Sequence, residues 1–261
     1  MNFRYFLALC LLWATALSLQ GCGGGSSANG PQGIPPVVST GVYSGSVSQR
    51  NFVGALTSDN FYGVHFNSVP DAPDDIYSGV IAGIGTTKAD VAALNLYKNT
   101  EAKSYAVSAS FTPFNTTQLI ILLTQPASTS LNFVATPNTL QAADMSSVAT
   151  TWTGKFSYGL GSPTNFSVSV NSAGDISSAS VFGQNSNCHI KAGSKLTAAN
   201  SSSSFFNLNL LIDKTNCPQF SDQTLSGVAF VLLNPEPGIA KRMIWIATAA
   251  NGIGISFKAD R

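Results

Sequence analysis

A chain of 261 residues with 44% hydrophobic content is long enough for one large domain or two small ones and can fill a sizeable core. Only 10% of residues are charged, against roughly 25% in an ordinary soluble domain; Ser, Thr, Asn and Gly take their place, as suits β-sheet surfaces. With a net charge of +1 and no basic cluster beyond the neighbours Lys241 and Arg242, the chain has no field to draw in nucleic acid or anionic lipid.

The N-terminus carries Arg4 and then an apolar run, Phe6 to Leu17, too short to span a bilayer in a mature protein and shaped like an export signal. Leu19-Gln20-Gly21-Cys22 follows. This resembles the bacterial lipobox, an aliphatic residue and a small residue ahead of Cys. The resemblance implies diacylglyceryl transfer to the Cys22 sulfur, cleavage before Cys22 and acylation of the new N-terminus, with palmitate among the chains. Two or three acyl chains anchor firmly where one holds only marginally. Residues 1–21 are then the signal peptide, and their loss removes Arg4 from the 13 basic side chains, matching the 12 acidic ones. Gly23 follows Cys22 where Asp would favour inner-membrane retention in enterobacteria, so the resemblance implies a lipid-anchored outer-membrane protein, on the periplasmic face or the cell surface. Residues 22–38, rich in Gly and Ser and stiffened by Pro35-Pro36, form a tether that reaches on the order of 20 Å.

Beyond the tether, strand patterns dominate. Val53 to Thr57 and Phe61 to Phe66 flank a Ser58-Asp59-Asn60 turn. Tyr105, Val107, Ala109 and Phe111 alternate with small residues, as do Phe166, Val168 and Val170, and Phe206, Leu208 and Leu210 alternate with Asn207 and Asn209. Ile253, Ile255 and Phe257 repeat at period two. Such alternation marks antiparallel sheets with one wet face. Asn171 to Asp175 reads as a tight turn. One short helix is expected over Pro137 to Ser146, with Asn138 or Thr139 as its N-cap.

Two weakly similar halves emerge. Tyr43-Ser44-Gly45 opens one and Trp152-Thr153-Gly154 the other. Each continues into a hairpin with an Asp-containing turn, a Gly-bearing strand (Gly79 to Gly85; Ile190 to Leu196) and strongly apolar strands (Leu119 to Leu123; Val228 to Leu233 and Met243 to Ala247). The expected fold is all-β: two similar antiparallel meander domains, barrel-like or bent sheets of about eight strands each. They span 39–136 and 151–261, joined by a linker at 137–150 that holds the helix. The rival is one larger sandwich or barrel that shares strands across the halves. Tyr43 and Trp152 are expected to plug the ends of their barrels.

Cys188 and Cys217 remain once Cys10 leaves with the signal and Cys22 takes lipid. An even pair in an oxidising compartment predicts a disulfide, worth roughly 3–4 kcal/mol for a loop of about thirty residues. A metal site at Cys188-His189 is the alternative, but it lacks further ligands at useful spacing. No catalytic constellation stands out. His65 and His189 are the only imidazoles, and no Gly-x-Ser-x-Gly occurs. Asp71-Ala72-Pro73-Asp74-Asp75 is the densest acidic cluster; without Ca²⁺-loop spacing it reads as a solvated loop. Carboxylate pairs for glycoside cleavage have no local support. Asn115-Thr116-Thr117, Asn165-Phe166-Ser167 and Asn200-Ser201-Ser202 match the glycosylation pattern by chance in an Asn/Ser/Thr-rich chain. Gly83-Ile84-Gly85 and Gly252-Ile253-Gly254 read as strand bends, not phosphate cradles.

The aromatic-x-Gly openings, the strand count and the Cys188/Cys217 pair, clearest from about Thr151 onward, resemble uncharacterised Gram-negative outer-membrane lipoproteins with one or two β-domains. That group implies no established activity. By anchor, tether and β-barrel pattern alone, the chain is more distantly similar to the transferrin-binding and complement-factor-binding surface lipoproteins. The expectation is a non-enzymatic module, without cofactor or metal, that binds a protein partner or an apolar small molecule. A structural envelope lipoprotein and a hydrolase of envelope polymers are the alternatives.

Overall fold

The computed structural model describes residues 40–47, 50–66, 74–82, 89–98, 103–107, 109–115, 118–123, 129–135, 142–158, 163–182, 188–200, 203–213 and 224–261, with side chains described at all of these except 46–50, 81–93, 103–104 and 107–135. The signal, Cys22, the tether, Asp71 to Pro73, Gly83 to Gly85, Pro137 to Gln141 and Cys217 lie outside the described residues.

The described chain is almost wholly antiparallel β-sheet, one sheet from each half. The first contains β1 (Gly41–Val47), β2 (Arg50–Leu56), β3 (Asn60–His65), β4 (Asp75–Ala82), β5 (Ala89–Lys98), β6 (Lys103–Val107), β7 (Ala109–Asn115), β8 (Gln118–Leu123) and β9 (Thr129–Ala135). Its order is β4-β3-β2-β1-β9-β8-β7-β5-β6, and a further β4–β5 pairing returns the sheet to its start. β6 and β7 both pair with β5, so they occupy one lane of an eight-lane meander. The Ser58-Asp59-Asn60 turn is as expected, with Thr57 Oγ1 donating to the Asn60 carbonyl at 3.0 Å.

The second sheet contains β10 (Thr151–Tyr158), β11 (Thr164–Val170), β12 (Ile176–Ser177), β13 (Lys195–Ala198), β14 (Phe206–Leu211), β15 (Thr224–Glu236), β16 (Ile239–Thr248) and β17 (Gly254–Asp260). The order β12-β11-β10-β17-β16-β15-β14-β13 is again a meander. Its two ends meet through an Asp175–Lys195 bridge, backed by hydrogen bonds from Ile176 N to the Ser194 carbonyl (2.9 Å) and from Leu196 N to the Gly174 carbonyl (2.8 Å). Buried Ser194 ties in β14 as well, accepting from Leu211 N at 2.8 Å. This closed sheet is referred to below as the C-terminal barrel.

Side-chain alternation sorts the second sheet into two cores. Trp152, Phe156, Phe166, Phe182, Phe206, Trp245 and Phe257 point inward and are at most 1% exposed. Close ring contacts join them, including Phe156–Phe182 at 4.5 Å and Trp245–Phe257 at 5.0 Å. The alternate residues of β15 and β16, Val228, Phe230, Ile244 and Ile246, point outward and are just as buried. They pack against Val42, Val53, Ala55, Val64, Ile76 and Tyr97 of the first sheet. The two halves therefore form separate sheets that share a second core, and residues 36–261 make one compact unit.

Two glycines show why the second sheet can bend so tightly. A Cβ on Gly154 would stand 2.0 Å from the Lys258 carbonyl oxygen, and one on Gly227 would stand 2.0 Å from that of Ile246. Only a residue without a Cβ admits this approach. Gly154 is the glycine of Trp152-Thr153-Gly154, so that motif builds a bend.

The helix differs from expectation. It is α1 (Met145–Val148), capped by Asp144, whose carboxylate accepts from Ser146 N at 3.1 Å; the expected caps Asn138 and Thr139 lie outside the described residues. Trp152 Nε1 donates to the Val148 carbonyl at 3.0 Å, and Val148 is fully buried in the barrel core. The Trp152 side chain thus fastens α1 to the C-terminal barrel. The strand expected over Ile190 to Leu196 is also broken. Ile190 makes a lone bridge to Ile212, and Gly193, at φ 93°, lies in a turn ahead of β13.

Candidate functional site

Among the described residues singled out from sequence, His65 and Asp75 meet as register partners on β3 and β4, while His189 and Cys188 belong to the other half. His65, on β3, lies opposite Phe52 and Asp75 in register, and its ring stands 6.1 Å from that of Phe52, on the face turned away from the shared core. His189 lies on the other sheet, where its carbonyl accepts from Asp213 N at 3.0 Å. Cys188 is fully buried, with the Tyr158 hydroxyl 3.9 Å from its sulfur. Among the described residues no group of three or more His, Cys, Asp or Glu side chains is placed to hold a metal.

Asp74 departs from the solvated-loop reading. It is half-buried against the second sheet. Its backbone N–H donates to Ser157 Oγ at 2.8 Å, and Ser256 Oγ donates to its carboxylate at 3.0 Å. Ser157 and Ser256 face each other in the β10–β17 register and are 1% and 2% exposed. The acidic segment ahead of β4 thus ends in a two-point clasp between the sheets. Close by, Gly254 lets Ile76 approach: a Cβ there would meet Ile76 Cβ at 2.8 Å.

At one end of the shared core the sheets part into a cleft of about 530 Å³. Its floor continues the shared apolar layer through Val42, Val53 and Ile244. Its wall is ionic. Arg242 extends from β16 with its side chain only 11% exposed, and it grips Asp260 in a two-bond fork, Nε to Oδ1 at 2.5 Å and Nη2 to Oδ2 at 2.8 Å. Its Nη1 donates to Glu236 Oε1 at 2.6 Å, which ties down the tip of the β15–β16 hairpin. The hydrogen bond from Arg242, and then its charge, hold the Glu236 carboxyl below the usual carboxylate range, while the bonds to Asp260 raise the Arg242 guanidinium further. Lys258 crosses from the second sheet to lie 4.7 Å from the Phe66 ring centroid. Asn51 and Asn234 complete the rim, Asn234 with φ 47°.

No family model, curated protein or solved structure matches this chain. The cleft therefore has to be read from its own chemistry.

Sequence reasoning noted Arg242 only as a basic neighbour of Lys241. A sharper signal was available. Arg242 directly precedes the apolar run Met243 to Ala247, and a cation entering such a strand needs a fixed partner. Asp260, its register partner on β17, lies in the last strand.

Proposed function

We propose that this chain is a lipid-anchored outer-membrane lipoprotein that acts as a non-enzymatic binding module, held to its leaflet through Cys22 and carried on the 22–38 tether. Its partner is a protein engaged on the outer faces of the two sheets. The observation that carries this reading is the aromatic filling of the C-terminal barrel, whose interior is occupied by its own side chains. An apolar small molecule, the other ligand class expected from sequence, finds no room in that interior. Among the described residues only Val80 and Val181 are large apolar side chains left exposed, so the outer faces suit a hydrophilic contact. Within the same proposal, Cys188 pairs with Cys217. The hydrolase alternative finds little support at Glu236: a glycosidase acid needs a raised pKa, and Arg242 lowers that of Glu236.

Metabolic palmitate labelling combined with in-cell photo-crosslinking from Thr153 and Asn207, both exposed, tests the reading. Label retained by the wild type and lost in Cys22→Ala, with one discrete protein adduct, is the expected result. An unlabelled mature product, or no adduct from either position, refutes it.

A further inference from the structure

We propose that the cleft at the open end of the shared core is a binding site for a neutral saccharide. Its volume, about 530 Å³, falls within the roughly 300–1,000 Å³ of small-molecule sites. The charges about it cancel: Arg242, Lys258 and Glu236 line the cleft, and Asp260, which grips Arg242 from outside the lining, supplies the second negative charge. An ionic ligand therefore gains no net field there. An apolar ligand would strip water from these polar groups without replacing their hydrogen bonds, which is costly. A ligand rich in hydroxyls both donates and accepts, and so suits a wall that offers both.

The donors are held in place. Of the five N–H groups of a guanidinium, Arg242 commits three to Asp260 and Glu236. Its plane is thereby fixed, and two N–H groups remain to donate. Glu236 stays ionised and accepts from hydroxyls. Asn51 and Asn234 add rim amides that can do both. The apolar floor of Val42, Val53 and Ile244 meets the C–H face of a sugar ring. Glu236, the carboxylate lining the cleft, is held ionised by Arg242 and is not poised as a proton donor, so the sugar is bound and not cleaved. The inference stands on the cleft alone and uses neither the lipid anchor nor the protein partner.

Saturation-transfer NMR with four neutral disaccharides (maltose, cellobiose, lactose and N,N′-diacetylchitobiose) and anionic 3′-sialyllactose tests it on the mature chain. Transfer to at least one neutral sugar is expected, with shifts in the Arg242 Nε–H and Asn234 side-chain resonances. Asn51→Ala and Asn234→Ala, at the exposed rim, should each weaken binding roughly tenfold, with sialyllactose bound no better than lactose. No transfer from any of the four, full affinity in both variants, or tighter binding of the anionic sugar overturns the proposal. A crosslinked partner without sugar binding would sink this inference and leave the protein-binding reading standing; sugar binding without a partner would do the reverse.

Discussion

Replacing Phe230 by alanine tests whether the two halves share a core. Phe230 is fully buried on the outward face of β15 and meets Phe205 edge-on, ring centroids 6.2 Å apart. It points at the first sheet, not into the C-terminal barrel. Truncating a buried Phe costs about 3–5 kcal/mol, of which the aromatic pair supplies roughly 0.5–1.5. In a unit of this size each kcal/mol lowers Tm by about 2–4 °C, so a drop of about 10 °C is expected. Thermal unfolding should be followed by the fluorescence of Trp152 and Trp245, both in the C-terminal barrel, and by hydrogen exchange read separately over β1–β4. Both probes should move together, because the lost contact joins both sheets. A Tm change under about 2 °C, or lost protection confined to β15–β17, would refute the shared core.

Asp74→Ala removes the acceptor of buried Ser256 Oγ and should cost about 1–3 kcal/mol in urea unfolding. Asp74→Asn, which keeps an acceptor, should recover most of that; an unchanged urea midpoint for Asp74→Ala would discount the clasp. Gly227→Ala forces a Cβ against the Ile246 carbonyl and should destabilise by at least about 1–3 kcal/mol, read as a lower Tm or insoluble product. The depressed Glu236 carboxyl stabilises the hairpin tip above its unfolded pKa, and that contribution fades as pH falls through the folded value. Carbon-13 NMR should place its midpoint below the ordinary 4.5, and Arg242→Met should raise it. Half-buried Tyr62 and buried Tyr77 and Tyr97 hold their phenols above the ordinary 10.0. Absorbance at alkaline pH should show them ionising late or only on unfolding.

Much of the fold was legible because a sheet with one wet face alternates. Phe166, Val168 and Val170, and Phe206, Leu208 and Leu210, are buried as their spacing indicates, with Asn207 and Asn209 outside. The turns at Ser58-Asp59-Asn60 and Asn171 to Asp175 follow from side chains that bond their own backbone. Val228 to Leu233 and Met243 to Ala247 were legible only as apolar strands. They lack alternation because each of their faces meets a different core, and that signature of two-sided burial pointed to a second apolar layer without naming what covers it. The cleft was less visible still, since Arg242, Glu236 and Asp260 look like ordinary surface charges until register brings them together.

The sequence by itself determined the β class, the two halves and which face of each alternating strand turns from water, because a side chain's period is written locally along the chain. Tertiary structure alone decided what each buried face packs against: the shared core, the Asp74 clasp and the cleft at its open end. Asp74 and Ser256 stand 182 residues apart. Their meeting depends on how each sheet rolls and where β15 and β16 dock, and no local pattern encodes that.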